Sequence, residues 1–239
     1  MLPLFAVDLK DGIPNDPMKI RYLGVSYHFN DQGNIATCSH VIKSVKGGET
    51  LVAIEMYGES LIFKVEDIRC HPKYDFAVGC VKRADYKSLP IHGKREVFIG
   101  DDVMAYGFTS GGMVDNKKVW TPRLFKGHVV RTHPLPVTSD ARSTCEISFP
   151  SHNGFSGTPL LFNRPKTSLA GMMFGNLEST ITLHKISEVD ESGSKYSEEI
   201  HKVVELGIAH TAFDIRCFLE DLGITRVPLD TPEPDPIRS

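Results

Sequence analysis

The chain has 239 residues, enough to bury one substantial core or two smaller cores that share an interface. Hydrophobic residues make up 41% and charged residues 24%, which is ordinary for a globular protein and excludes a largely disordered chain. The net charge of -3 and the pI near 6.4 argue against a nucleic-acid or anionic-membrane partner, because such partners favour a basic surface.

The amino terminus and the cysteines indicate the compartment. Met1 to Lys10 has no basic start and its apolar run is cut by Asp8, so it is a poor secretory signal. No stretch approaches the roughly 20 apolar residues that a membrane span needs. The cysteines are odd in number and lie in apolar segments, which is typical of reduced thiols. We therefore expect a cytoplasmic protein with no membrane partner.

Short β-type runs between turn residues dominate the sequence. The segment 22–29, the turn 30–33 and the segment 34–38 predict one hairpin, and the segments 51–57 and 61–65 predict a second. Further strands are predicted at 76–82, 102–108, 125–131, 144–149, 158–163, 168–174 and 206–212. Such regularly spaced short strands predict an all-β barrel or sandwich.

The end of the chain follows a different pattern. Residues 213–223 have helical spacing, with Asp214 early and Gly223 as a stop. The polar segment 184–205 is expected to be an insertion in a surface loop, and the proline-rich stretch after Pro228 a disordered tail.

One run carries the features of a serine nucleophile. Gly154-Phe-Ser156-Gly-Thr-Pro leads into an apolar strand, and glycines beside a serine allow a tight turn that exposes the hydroxyl. Peptide hydrolysis needs such a hydroxyl together with two backbone N–H groups that face the developing oxyanion. An ordinary glycine-serine turn between strands remains the alternative.

A serine needs a base, and the base needs a carboxylate. His40 lies at the end of the apolar strand that begins at Ile35 and is followed by Val41 and Ile42, whereas most of the other histidines are expected to be structural. Asp75 opens an otherwise apolar strand, where a carboxylate is costly without a partner such as a histidine N–H. A strand-capping aspartate is the alternative.

These motifs, in the order His40, Asp75, Ser156, resemble the trypsin-like serine peptidases, and among them the HtrA-type branch. The resemblance runs from about Tyr22 to Gly223. It implies two six-stranded antiparallel β-barrels of the chymotrypsin type with a C-terminal helix. The first barrel would span 1–120 and carry the histidine and aspartate. The second, 121–225, would carry the serine and an inserted loop at 184–205, before a disordered tail at 226–239.

The same resemblance implies roles for further residues. The N–H groups of Gly154 and Ser156 would form the oxyanion hole. Phe155 stands where secreted members place an aspartate that traps a freed amino terminus, and Val41 stands where they place a disulfide-bonded cysteine, so activation by trimming is not expected. The specificity pocket would be lined by residues of three segments: Pro150, Ser151, Met172, Met173, Phe174, Leu206 and Ala209.

The composition of this pocket predicts its specificity. Pro150 replaces the aspartate of members that cut after lysine or arginine, and Glu146 is expected to take part in a surface pairing. Gly207 leaves depth between mostly apolar walls, so we expect cleavage after Leu, Val, Met or Ala. Some relatives use a pocket histidine to read Gln or Glu, which makes His210 the basis of a second specificity, although strand alternation should point it away from the pocket.

Two other functions are compatible with the residues. A catalytically inactive trypsin-like fold that serves as a binding module is one, although all three triad positions are filled. A metal protein using Cys38, His40, Cys70 and His71 is the other, but this spacing does not match zinc ligand pairs. We expect a serine endopeptidase with no cofactor and no metal. Its partners would be protein or peptide substrates, and a regulatory protein is one way to restrain it.

Overall fold

The structure is a computed structural model that describes residues 1–10, 13–16, 19–55, 61–82, 87–92, 97–114, 117–133, 143–163, 167–189, 195–224 and 229–230. Strands dominate this part of the chain and form two large sheets, with an α-helix near the carboxyl end. The predicted all-β fold of the chymotrypsin type is confirmed. None of the helices in the described ranges has the length and apolar character required to span a bilayer.

The amino-terminal sheet has seven strands in the order β7-β6-β1-β4-β5-β9-β8 and forms an open half-barrel. A separate two-stranded hairpin, β2–β3, lies beside β1 in the chain. The strands are β1 (Leu2–Val7), β2 (Leu9–Lys10), β3 (Ile13–Pro14), β4 (Arg21–His28), β5 (Asn34–Thr37), β6 (Thr50–Glu55), β7 (Leu61–Lys64), β8 (Glu66–Cys70) and β9 (Ala77–Cys80).

Local turn chemistry explains the β4–β5 hairpin. The side-chain oxygen of Asn30 accepts the backbone N–H groups of Gln32 and Asn34, at 3.2 and 3.1 Å. Gly33 has a φ of 82°, which glycine adopts without strain.

The turn of the second predicted hairpin, residues 56–60, lies outside the described residues. β1 was not predicted as a strand, yet it is buried along its whole length between β4 and β6.

The carboxyl-terminal sheet contains a closed ring of six strands in the order β14-β11-β12-β13-β16-β15, because β14 also pairs with β15. Two short strands, β10 and β17, extend from β15 in parallel pairings. The strands are β10 (Ile91–His92), β11 (Asp102–Val114), β12 (Lys117–His133), β13 (Thr144–Ile147), β14 (Pro159–Phe162), β15 (Leu169–Val189), β16 (Lys195–Thr211) and β17 (Leu229–Asp230).

The helices in the described residues are α1 (Ser39–Lys43) and α2 (Ala212–Asp221). Thr211 is the N-cap residue of α2, and its hydroxyl accepts the N–H of Asp214 at 3.2 Å. Ile215, Phe218 and Leu219 are fully buried and join the same apolar cluster as the interior of the first sheet. The closing helix predicted at 213–223 therefore packs across the first half of the molecule.

The sequence-based domain division can be placed on this architecture. The division between residues 120 and 121 falls inside β12, and β11 already belongs to the second sheet. The segment 184–205 was expected to be a surface loop, but most of it continues β15 and β16 as a long antiparallel ribbon. In the predicted tail, Leu229 and Asp230 form β17, and residues 226–228 and 231–239 lie outside the described residues.

Candidate active site

His40 and Asp75 are joined by a direct hydrogen bond. The chain leaves β5 and enters α1 at Ser39, so His40 lies in the first turn of a short helix with its side chain half exposed. Its Nδ1 lies 2.6 Å from Oδ2 of Asp75, a residue that precedes β9 and is largely buried. Because an ionised carboxylate can only accept, the ring donates from Nδ1 and keeps a lone pair on Nε2.

The other oxygen of Asp75 accepts two further hydrogen bonds. The backbone N–H of His40 and the hydroxyl of Ser39 each donate to Oδ1 at 2.9 Å. Burial by itself raises the pKa of the Asp75 carboxyl, but the hydrogen bonds from His40 and Ser39 together outweigh burial and lower the pKa. Asp75 is thus held ionised and fixed in orientation. Sequence reasoning missed Ser39, whose only signal is its position next to the histidine.

His210 packs behind the aspartate. Its side chain is buried, its Nε2–H donates to the backbone carbonyl of Asp75 at 3.1 Å, and its ring stacks on Phe174 at 4.2 Å. It therefore links β16 to the loop that carries Asp75, consistent with the prediction that alternation turns it away from the pocket.

The nucleophile turn, residues 152–157, has the shape its glycines predict. Gly154 and Gly157 have φ angles of 86° and 85°. The N–H of Phe155 donates to the carbonyl of His152 at 2.8 Å. Within the described ranges, the N–H groups of Gly154 and Ser156 have no protein acceptor, so both are available to an oxygen atom of a ligand.

Close packing holds this turn against the first sheet. The N–H of Val25 donates to the carbonyl of Ser156 at 2.9 Å. A Cβ placed on Gly157 would lie 2.0 Å from the carbonyl oxygen of Val25, so only glycine fits there. A Cβ on Gly24 would lie 2.7 Å from the carbonyl oxygen of Ser156 and 2.9 Å from Cγ2 of Val41. Ser156 is thereby brought beside the residue that follows His40.

Tyr22 anchors the same turn and was not singled out by the sequence. Its hydroxyl lies 2.7 Å from the carbonyl oxygens of both Gly154 and Phe108, and it can donate its single proton to one of them at a time. Its ring covers Gly154 so closely that a Cβ there would lie 2.3 Å from Cε1. In the described part of the chain, no hydrogen bond joins Ser156 Oγ to His40. Such contacts often tighten only when substrate binds.

The residues predicted to line the specificity pocket fall into two groups. Pro150, Phe174 and Leu206 are half-buried, and Ser151 is nearly buried. Met172, Met173 and Ala209 are fully buried, Met172 in the cluster of the first sheet and the other two in the core of the second.

Asn176 contacts the predicted pocket floor and was not singled out by the sequence. Its side chain accepts the N–H of Ser151 at 2.5 Å and donates to the carbonyl of Ser151 at 2.9 Å, as a strand partner would. On the opposite wall, the terminal methyl group of Met173 lies 2.6 Å from where a Cβ on Gly207 would be. Met173 therefore fills the depth that Gly207 was expected to leave.

The surface pairing predicted for Glu146 is wrong. Glu146 is fully buried on β13, where Oε1 lies 2.5 Å from Nε2 of His133 and 3.5 Å from the guanidinium of Arg131, both on β12. The alternation of β13 places Cys145 and Ile147 in the barrel core, which turns Glu146 toward these two partners.

One cluster of potential metal ligands coincides with this site. Atoms of Cys38, His40 and Asp75 lie within 4.8 Å of one another. However, Cys38 is fully buried and its thiol donates to the carbonyl of Met173 at 3.5 Å. Burial raises the pKa of this thiol well above its ordinary value, whereas a metal ligand must be a thiolate. The donor set is therefore a poor metal site.

Comparisons with known proteins identify the family and the fold. A family model described as a trypsin-like peptidase domain matches residues 24–172. No curated protein sequence matches the chain. Among solved structures, the fold is similar to the HtrA-type protease AlgW with decapeptide, with a TM-score of 0.59 and 16% identity over 92% of this chain and 64% of that chain. A second AlgW structure, with tripeptide, is covered to 60%, so the chain spans less than two thirds of these proteases.

The Rv3671c protease from M. tuberculosis in its active form is also similar. Its TM-score is 0.56 at 16% identity, over 96% of this chain and 82% of that chain. At this level of identity the likeness establishes the fold.

Proposed function

Because the chain belongs to the trypsin-like peptidases, we propose that it is a serine endopeptidase that works through Ser156, His40 and Asp75. The observation that carries the proposal is the hydrogen bond by which the ionised Asp75 orients the ring of His40; Asp75 accepts three hydrogen bonds in all. The nearby turn leaves the N–H groups of residues 154 and 156 available to a substrate oxygen.

The geometry supports a proton path through the histidine. With Nδ1–H held by Asp75, Nε2 is the basic atom of His40 and accepts the proton as Ser156 Oγ attacks the peptide carbonyl. The protonated ring then gives this proton to the leaving amine, and an acyl-enzyme remains. Water attacks the acyl group with His40 again as base, which releases the carboxylic acid and restores the serine. Asp75 stays ionised throughout and stabilises the imidazolium.

The available N–H groups support the electrostatic part of the mechanism. Donors at Gly154 and Ser156 would stabilise the negative charge on the carbonyl oxygen as it becomes tetrahedral. A single oxyanion donor contributes a factor of about 10²–10³ in kcat in comparable sites. Tyr22, which fixes the carbonyl of Gly154, would hold these donors in place.

The substrate we propose is a peptide segment with a small or medium apolar residue before the scissile bond. The pocket wall formed by Met173 over Gly207 excludes long side chains, and the floor residues Pro150 and Ser151 carry no charge. The carboxylate of Glu205 lies 3.2 Å from Nδ2 of Asn176, but Glu205 is exposed rather than buried in the floor. A buried, unpaired lysine or arginine there would cost several kcal/mol. A peptide library dominated by cleavage after lysine or arginine would contradict this assignment.

The proposal is tested with an active-site serine probe and a protein substrate. Wild-type protein should be labelled and should cleave, whereas Ser156→Ala should lose both labelling and at least a factor of about 10⁴ in rate. Ser179→Ala, an exposed serine on the ribbon, is the matched control and should match the wild type. If folded Ser156→Ala is labelled and cleaves like the wild type, the proposal fails. A wild type without either activity would instead favour a binding module.

A further inference from the structure

The outer parts of β15 and β16 form a two-stranded ribbon that leaves the body of the protein. We define the ribbon as Leu177–Val189 paired with Lys195–Leu206, from the pair Leu177–Leu206 to the pair Val189–Lys195. Each side chain described between residues 178 and 187 and between 195 and 203 is exposed. At about 3.3 Å per residue the ribbon extends for roughly 40 Å.

The register divides the ribbon into two faces, because directly paired residues share a face and neighbours alternate. One face, called the apolar face for its three isoleucines, contains the pairs Leu177–Leu206, Ser179–Val204, Ile181–Lys202, His184–Ile200, Ile186–Glu198 and Glu188–Tyr196. The polar face contains Thr180–Val203, Thr182–His201, Lys185–Glu199 and Ser187–Ser197.

The polar face, which also contains the pair Glu178–Glu205, has a cross-strand network of charged side chains. Lys185 and Glu199 form an ion pair at 2.5 Å, and Glu199 also contacts Nε2 of His201 at 3.2 Å. His201 Nδ1 in turn lies 3.2 Å from the hydroxyl of Thr182. A cross-strand network of this kind is what a face directed to water contains.

The apolar face lacks such a network and presents hydrocarbon to water. Ile181, Ile186 and Ile200 are 48%, 37% and 52% exposed. In the part of the chain that the structure describes, Lys202 has no carboxylate partner, and Glu198 contacts only the hydroxyl of Tyr196, at 3.5 Å. A contiguous exposed apolar stripe on a monomer marks an interaction surface.

We propose that this face binds the same face of a second copy of the chain, in an antiparallel arrangement about a two-fold axis at Ile200. In that arrangement a residue a given distance before Ile200 lies opposite the residue the same distance after it in the partner copy. Lys202 then faces Glu198 of the second chain on both sides of the axis, and Ile181 faces Ile186.

The charges select this arrangement over the alternatives. If the two ribbons packed in parallel, each β16 would cover the partner's β15, and Lys202 and Glu198 would face isoleucines. Buried charges opposite hydrocarbon are unfavourable. The antiparallel arrangement pairs each of these charges with its opposite and leaves the network of the polar face intact.

The size of the contact predicts its strength. Tyr196 to Val204 spans about 30 Å on a ribbon two strands, or about 10 Å, wide, so the two faces together would cover about 600 Å², below the roughly 1,200 Å² at which stable specific interfaces begin. We therefore expect an association that depends on protein concentration rather than an obligate dimer.

Sedimentation velocity over a range of concentrations tests the proposal, with the full chain in the Ser156→Ala background to prevent self-cleavage. The Ser156→Ala protein with an otherwise unchanged ribbon should shift from monomer to dimer as its concentration rises. Ile200→Ser should weaken dimerisation at least tenfold. Val203→Ser is the matched control, because Val203 is equally exposed at 54% but lies on the polar face, and it should leave the dimer unchanged.

Charge reversal tests the antiparallel geometry. Lys202→Glu and Glu198→Lys should each weaken the dimer about tenfold, because like charges then face each other twice. The double variant restores opposite charges and should restore the dimer. A chain that stays monomeric at every concentration, a dimer that Ile200→Ser leaves intact, or a double variant no better than the single variants would overturn the proposal. Melting temperatures within a few degrees of the parent show that the variants remain folded.

Discussion

The substitution Asp75→Asn isolates the role of the carboxylate, because the neighbouring hydrogen-bond donors fix the orientation of the asparagine side-chain amide. Oδ1 of Asp75 faces two donors, the N–H of His40 and the hydroxyl of Ser39. A backbone N–H cannot reverse its direction, so the amide oxygen of an asparagine must take this position. The amide NH₂ then faces Nδ1 of His40 and donates to it.

This orientation forces the wrong tautomer on the histidine. With Nδ1 as acceptor, the ring proton moves to Nε2, which can no longer accept a proton from Ser156. In the serine-protease template the corresponding change lowers kcat by about 10⁴. At about 1.4 kcal/mol per tenfold this is about 5 kcal/mol in the activation free energy. Since each hydrogen bond keeps a partner, the melting temperature should change little.

The assay compares kcat on a cleaved peptide with the melting temperature. Ser39→Ala is the control, because it removes one donor to the same oxygen without altering the tautomer. A neutral hydrogen bond contributes about 1 kcal/mol, so we expect at most about a tenfold loss. The reasoning would be refuted if folded Asp75→Asn kept kcat within tenfold of the wild type, or if Ser39→Ala lost as much.

Two further predictions concern the fold around the site. Gly154→Ala should lower both the melting temperature and kcat, because residue 154 has a positive φ and the new Cβ would collide with the ring of Tyr22. Gly48→Ala is the control: Gly48 has a φ of 85° but open space around it, so the substitution adds only backbone strain and should leave kcat unchanged. Hydrogen bonds from Arg21 lower the pKa of Glu49 to about 2, so Glu49 stabilises the fold above its unfolded pKa near 4.3 and loses this effect as pH falls toward 2. Glu49→Gln should therefore cost less than about 1 kcal/mol of unfolding free energy at pH 7, and a smaller amount at pH 2, in denaturant titrations; an equal cost at both pH values would contradict the assignment.

Short motifs made part of the site predictable. His40 and Asp75 could be singled out because each departs from an apolar strand at a point where a polar side chain needs a partner, and the structure joins them by a hydrogen bond. The turn at Ser156 was predictable because its glycines permit the positive φ angles that it adopts. These signals lie within a few residues, where sequence patterns constrain the backbone directly.

Contacts between distant segments could not be predicted in this way. Tyr22 is one of several aromatic residues in apolar runs, and only the approach of β4 to the nucleophile turn gives its hydroxyl a role. Glu146 looked like a surface residue because nothing local reveals that His133, across the β12–β13 pair, is its partner. The segment 184–205 was predicted as a loop because it is long and polar, and its two strands, as far as the structure describes them, have no buried face to give the apolar alternation of a core strand.

The proposed specificity pocket depends both on short sequence motifs and on contacts between distant segments. The family resemblance predicts its position, with a floor that precedes Ser156 and walls on β15 and β16. Its depth, however, depends on the conformation of a single flexible side chain, Met173, which crosses to Gly207 on the neighbouring strand. The floor is fixed by Asn176, whose side-chain amide replaces a strand pairing for Ser151. Because three rotatable bonds in a methionine set the available volume, pocket size in this fold can change without any change in the backbone or in the residues of the triad.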